Sequence, residues 1–188
     1  MFQIIPNWHP IFVHFTVALF SVSVIFFVLA YLASHTQWKS RKLFSEFEAV
    51  GRWCLWVAAL TTIATLSAGF YAYYSVKHDV VSHAAMTVHR NWALGTATAI
   101  FLMAFWSVWR YVKQKELTLT FVITLLIVQG LLVITALHGG ELVYRHGIGV
   151  MSLPQAEEIG HQHSQKIISV PEKTPSPTPS PETDKHSH

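Results

Sequence analysis

Residues 11–33 read IFVHFTVALFSVSVIFFVLAYLA, with no Asp, Glu, Lys or Arg among them. Wound as a helix, such a run is roughly 35 Å long and crosses a hydrocarbon core of about 30 Å. No basic region precedes it, and Ala30-Tyr31-Leu32-Ala33 only faintly resembles a cleavage site, so an uncleaved helix is expected. Three further apolar segments of similar length follow, at 52–74, 91–111 and 117–137. The reading is all-α: a polytopic four-transmembrane-helix bundle over residues 1–150, with a polar, disordered tail over 151–188.

Composition agrees. The chain of 188 residues is 52% hydrophobic and 12% charged, with a mean hydropathy of +0.37. A soluble domain carries about a quarter of its residues as charges, so a lipid bilayer is the expected partner. The acids sit at segment boundaries (Glu46, Glu48, Asp79, Glu116, Glu141) or in the tail from Glu157 onward. A net charge of +3, widely dispersed, gives no footprint for nucleic acid. Cys54 is the one cysteine, which excludes an intramolecular disulfide, and it reads as an apolar packing residue.

Basic residues set the orientation. Lys39, Arg41 and Lys42 lie in the first connection, with Arg52 just beyond, and Arg110, Lys113 and Lys115 mark the third. The second connection has only Lys77 and Arg90. Connections one and three are therefore expected inside, and both termini outside, in the periplasm of a bacterium with this protein in its inner membrane. Trp38, Trp53, Trp56, Trp106 and Trp109 form an inner aromatic belt; Trp8, Trp92, Tyr73 and Tyr74 form an outer one. Lys113-Gln114-Lys115-Glu116 is short enough to force helices three and four into an antiparallel hairpin. Lys42–Phe47 suggests a short interfacial helix, and no internal repeat stands out. From Pro171 the Pro/Ser/Thr-rich composition cannot build a core.

Histidine is the unusual residue, with 12 against 13 Lys plus Arg. His9, His14, His78, His83, His89, His138 and His146 all fall on the outer side of this topology. His35 alone falls on the inner side, and the remaining four lie in the tail. An intramembrane imidazole is a functional hypothesis by default, although an amphipathic ring is also comfortable at a wet interface. His14, about one turn into helix one, is expected to converge with His89 and His138. Ala18 and Ser21 below His14, and Ala93 and Thr96 below His89, leave room for a flat macrocycle or for close helix packing.

Three chemistries suit such a cluster. Paired imidazoles from facing helices ligate haem iron axially. His14 and His89 would reach across a sequentially wound bundle, with Arg90, Arg145 and Lys77 near the haem propionates. Copper or zinc could instead be held by His14, His89 and His138, with Glu141 in support. A proton relay is the third. His78 with His138 is a competing pair, and His161, His163, His186 and His188 could collect metal in the tail.

Two segments carry a resemblance. His9-Pro10-Ile11-Phe12-Val13-His14-Phe15 resembles the opening motif of the bacterial membrane family called domain of unknown function 2231. The stretch from His138-Gly139-Gly140-Glu141 through Arg145-His146-Gly147 to Val150 resembles its closing motif. His89-Arg90-Asn91-Trp92 fits its third-helix histidine more loosely, and Thr16 stands where a proline is expected. The resemblance spans Ile5 to Val150. It implies a four-helix inner-membrane domain related to b-type cytochromes. Within the closing motif, Gly139-Gly140 is expected to end helix four, with Glu141–Val150 folding back toward the bundle mouth.

The expectation is a haem-b-binding protein for electron transfer or redox sensing at the periplasmic face, with a periplasmic or membrane redox partner. His14 and His89 are the preferred ligands, His138 the substitute, and His9 and His146 supporting or alternative. The alternatives are a non-haem transition-metal module and a structural subunit of a membrane complex. A hydrolase is not expected, since the chain has no Ser-His-Asp arrangement or HExxH, and it has no phosphate-binding glycine loop.

Overall fold

A computed structural model describes residues 8–35, 41–75 and 80–149. These residues form four helices, α1 (His9–His35), α2 (Arg41–Ser75), α3 (Val80–Val112) and α4 (Leu119–Tyr144), with no strand among them. Each is long and apolar enough to cross a membrane. The four-helix architecture is the expected one. The tail, Lys77, His78 and Trp38 lie outside the described residues.

The helices wind in sequence. α1 packs on α2 and α4, and α3 packs on α2 and α4, so α1/α3 and α2/α4 are the two diagonals. Each helix buries one stripe. On α1 it is Thr16, Phe20, Ser23, Val24, Phe27 and Ala30; on α4 it is Phe121, Val122, Leu125, Val128, Leu132 and Thr135. Alternating steps of three and four residues keep a stripe on one helix face. The opposite faces are apolar too: Leu60, Leu102, Phe105, Ile127 and Leu137 are each at least 60% exposed, as lipid-facing residues must be.

Apolar burial gains little against lipid, so close packing and interhelical hydrogen bonds carry the association. The α1–α2 crossing shows both. Ser23 Oγ donates to the Gly51 carbonyl at 2.8 Å, and a Cβ on Gly51 would stand 3.1 Å from the Phe27 ring.

Three boundaries differ from expectation. Lys42–Phe47 is no separate interfacial helix but the opening of α2, since Phe44 and Phe47 continue its packing face and Phe47 meets Phe26 edge to face. α3 begins at Val80 because Ser82 and Met86 extend its buried stripe outward. α4 runs through Gly139-Gly140 to Tyr144. Positive φ falls instead on Gly147 (59°) and Gly149 (82°), where Gly147 N–H bonds the Val143 carbonyl and Ile148 N–H the Leu142 carbonyl. Tyr144 is exposed rather than turned to the bundle mouth.

The two hairpins repeat one pattern, which the sequence reading missed. Thr16, Phe20, Ser23, Phe27 and Ala30 of α1 are buried, and so are Thr96, Ile100, Met103, Ser107 and Arg110 of α3, each 80 positions later. Likewise Leu55, Ala58 and Thr62 of α2 answer to Leu125, Val128 and Leu132 of α4, each 70 positions later. The buried registers of the two hairpins thus correspond, at an offset of 80 positions for α1 and α3 and of 70 for α2 and α4. Most side chains at these positions differ while the buried register is shared.

Candidate functional site

The repeat is sharpest at the end of the bundle where α1 and α3 begin. His9 Nδ1 lies 3.0 Å from the Thr65 carbonyl of α2, and its ring covers Gly69, one turn further on. A Cβ on Gly69 would stand 2.9 Å from the His9 Cε1. His89 repeats this on α4. Its ring covers Gly139, where a Cβ would come within 3.1 Å of Cε1, and it makes a looser contact with the Thr135 backbone. The buried His89 Nδ1 stops short of an ordinary hydrogen bond.

Below each imidazole lies a threonine pair. Thr16 Oγ1 bonds Thr65 Oγ1 at 2.9 Å, and Thr96 Oγ1 bonds Thr135 Oγ1 at 2.7 Å. The unit is thus a histidine with a threonine seven positions later on one helix, against a threonine with a glycine four positions later on its neighbour. It occurs in both hairpins. The two units bring His9 and His89 together across the α1–α3 diagonal, ring centres 6.4 Å apart and planes at 79°.

His14 does not join them. It is exposed on the outer face of α1, and its Nδ1 turns back to the Pro10 carbonyl of its own helix. Ala18, one turn below, is exposed as well. The expected meeting of His14, His89 and His138 therefore becomes a meeting of His9 and His89. His9 and His14 are neighbours along α1, but the five-residue step, about 1.4 turns, carries His14 off the buried stripe.

His138 borders the pair without entering it. Its ring stacks on Trp92 at 5.8 Å, and its Nδ1 lies 3.8 Å from Glu141, which also accepts from Arg145 Nη1 at 2.8 Å. Arg90 lies over the Tyr73 ring at 5.0 Å and donates to Asn91 Oδ1. His146 is half-buried in the turn after α4. His83 touches the Tyr73 ring and hydroxyl. A shallow groove of about 350 Å³ runs alongside, lined by Asn91, Trp92, Gly95, Thr96 and Leu131.

The model of the family described as predicted membrane protein (DUF2231) matches residues 6–152, which takes in all four helices and both histidine units. The chain belongs to this family. No curated protein and no solved structure shows significant similarity to it. Within this DUF2231 chain, His9 near the start of the matched segment and Gly139 near its end both belong to this site. Thr65 and Gly69 were missed in the sequence because they lie in neither motif. The signal available was the shared spacing: His-x6-Thr at 9–16 and 89–96, and Thr-x3-Gly at 65–69 and 135–139.

Proposed function

We propose that this integral membrane protein holds haem b between His9 and His89 and serves electron transfer or redox sensing at the outer face of a bacterial inner membrane. One observation carries the reading: two imidazoles from diagonal helices, each set on a glycine of a neighbouring helix, stand with their ring centres 6.4 Å apart. Two metal–nitrogen bonds of about 2.0–2.1 Å each, plus the radii of two imidazole rings, bring ring centres to roughly 6 Å.

The tautomer fits as well. With Nδ1–H of His9 directed to the Thr65 carbonyl, Nε2 carries the lone pair, the arrangement that ligating histidines adopt. Ligand count favours haem over zinc. Among the described residues no three His, Cys, Asp or Glu side chains gather as a ligand set. Zinc takes three or four protein ligands, whereas haem iron needs at most two. Haem would supply a one-electron carrier at this depth, while Arg90 beside His89 would face its propionates. Polar threonine pairs beneath the imidazoles hold α1 to α2 and α3 to α4, fixing both rings.

The orientation rests on charge: Arg110, Lys113 and Lys115 gather at the opposite end, which the positive-inside rule puts in the cytoplasm. A C-terminal reporter active only in the periplasm should therefore be active.

The second reading is a copper ion bridging the same two rings. Their present closeness favours it, since a bare ion needs no slot for a macrocycle. Purified protein separates the two. A b-type band in the reduced-minus-oxidised spectrum supports haem. Stoichiometric copper without porphyrin supports the second reading. Neither, after supplementation with haem and with copper, rejects both.

A further inference from the structure

The other end of the bundle breaks the repeat. Where α1 has Ala30, α3 has Arg110, and where α4 has Val122, α2 has Arg52. Both arginines lie at the α2–α3 interface. Arg110 is 4% exposed, its Nη2 donating to Glu48 Oε1 at 3.3 Å and to the Lys115 carbonyl at 3.4 Å, with its guanidinium 4.6 Å from the Phe121 ring centre. Arg52 lies over Tyr111 at 4.3 Å and beside Trp56 at 5.8 Å, and the Trp56 and Tyr111 rings meet edge to face.

Three buried donors in this corner have no hydrogen-bond partner: Arg52 Nε, Arg110 Nε and Trp56 Nε1. An unsatisfied buried donor costs about 1–3 kcal/mol, more when charged, so three in one place call for an acceptor. Among the described residues, Glu48 is the carboxylate paired with Arg110, and two guanidinium groups lie here. The missing acceptor is therefore anionic and multidentate. Exposed Trp53 and Trp109 place the corner at headgroup depth, the level of an aromatic belt. Basic pockets between transmembrane helices at that level take phosphate headgroups.

We infer that Arg52, Arg110 and Trp56 form a phosphate-binding corner between α2 and α3, occupied by the headgroup of an anionic phospholipid. The phosphate oxygens accept from Arg52 Nε, Trp56 Nε1 and Arg110 Nε, while Glu48 stays on Arg110 Nη2. The α1–α4 interface, with Ala30 and Val122 at the matching positions, has no counterpart, so each chain holds one such lipid.

Delipidated full-length protein, titrated and read by native mass spectrometry, tests this. Phosphatidylglycerol should bind at one site at least tenfold more tightly than phosphatidylcholine. Arg52→Gln should remove that preference. Trp56→Phe, which loses only the donor, should weaken it several-fold and serves if Arg52→Gln does not fold. Competition by millimolar inorganic phosphate would assign the same corner to a soluble anion instead of a lipid. Equal retention of phosphatidylglycerol by wild type and both variants, or wild-type binding without headgroup preference, overturns the inference.

Discussion

The imidazoles of His9 and His89, 80 positions apart in the chain, stand edge to face with their centres 6.4 Å apart. Each is set there by a neighbouring helix, not its own. His9 is fixed by Thr65 and Gly69, and His89 by Gly139. The site is a property of the bundle, and its predictions follow from which residues do the setting.

On the proposed haem reading, His9→Ala and His89→Ala should each abolish the b-type absorbance, whereas His14→Ala should leave it at wild-type intensity. His14 is exposed and bonded within its own helix, so its removal leaves the pair intact. Difference spectra at matched protein concentration make the comparison. Loss of the band in His14→Ala alone would overturn the assignment to His9.

Gly69→Ala and Gly139→Ala should destabilise the protein by about 1–3 kcal/mol each, the usual cost of overpacking. The new methyl would stand 2.9 Å or 3.1 Å from an imidazole carbon and must push the ring away. Gly95→Ala and Gly130→Ala meet nothing within 4 Å. They should be neutral or stabilise by up to about 1 kcal/mol through helix propensity. Thermal unfolding in detergent distinguishes the pairs; equal effects at all four positions would contradict the packing described.

Thr96 and Thr135 share a 2.7 Å hydrogen bond across the α3–α4 interface. A double-mutant cycle with Thr96→Val and Thr135→Val should give a coupling of about 0.6 kcal/mol, the average for such bonds between membrane helices. The equivalent cycle on Thr16 and Thr65 should give a similar value. Zero coupling in both would show that the threonines pack without bonding.

Glu48→Leu, which removes the acceptor, should cost about 1.5–3 kcal/mol, the range for a hydrogen bond to a charged group. Arg110 is nearly fully buried, and Glu48 is the carboxylate that answers it at 3.3 Å. Chemical denaturation of wild type and variant in the same detergent measures the difference. A variant as stable as wild type would mean that the Arg110 charge is met elsewhere.

The membrane architecture was legible in the chain because it depends on local sums. Twenty-odd apolar residues in a row must leave water, and a four-residue connection must make an antiparallel hairpin. Helix ends were less legible. The glycines at 139 and 140 read as a terminus, yet the His89 ring fills the space above Gly139 and α4 continues to Tyr144. The sequence placed the site's histidines at one end of the bundle and marked His9, His14, His89 and His138 as candidates. Only the tertiary structure chose between His9 and His14. They share a segment and a residue type, and what separates them is helical phase: His9 continues the stripe that ends in Thr16, while His14 faces out. Phase relative to a neighbouring helix is set by contacts far along the chain, such as Thr16 with Thr65. A single apolar segment, hydrophobic all round, carries no mark of which side faces its partner.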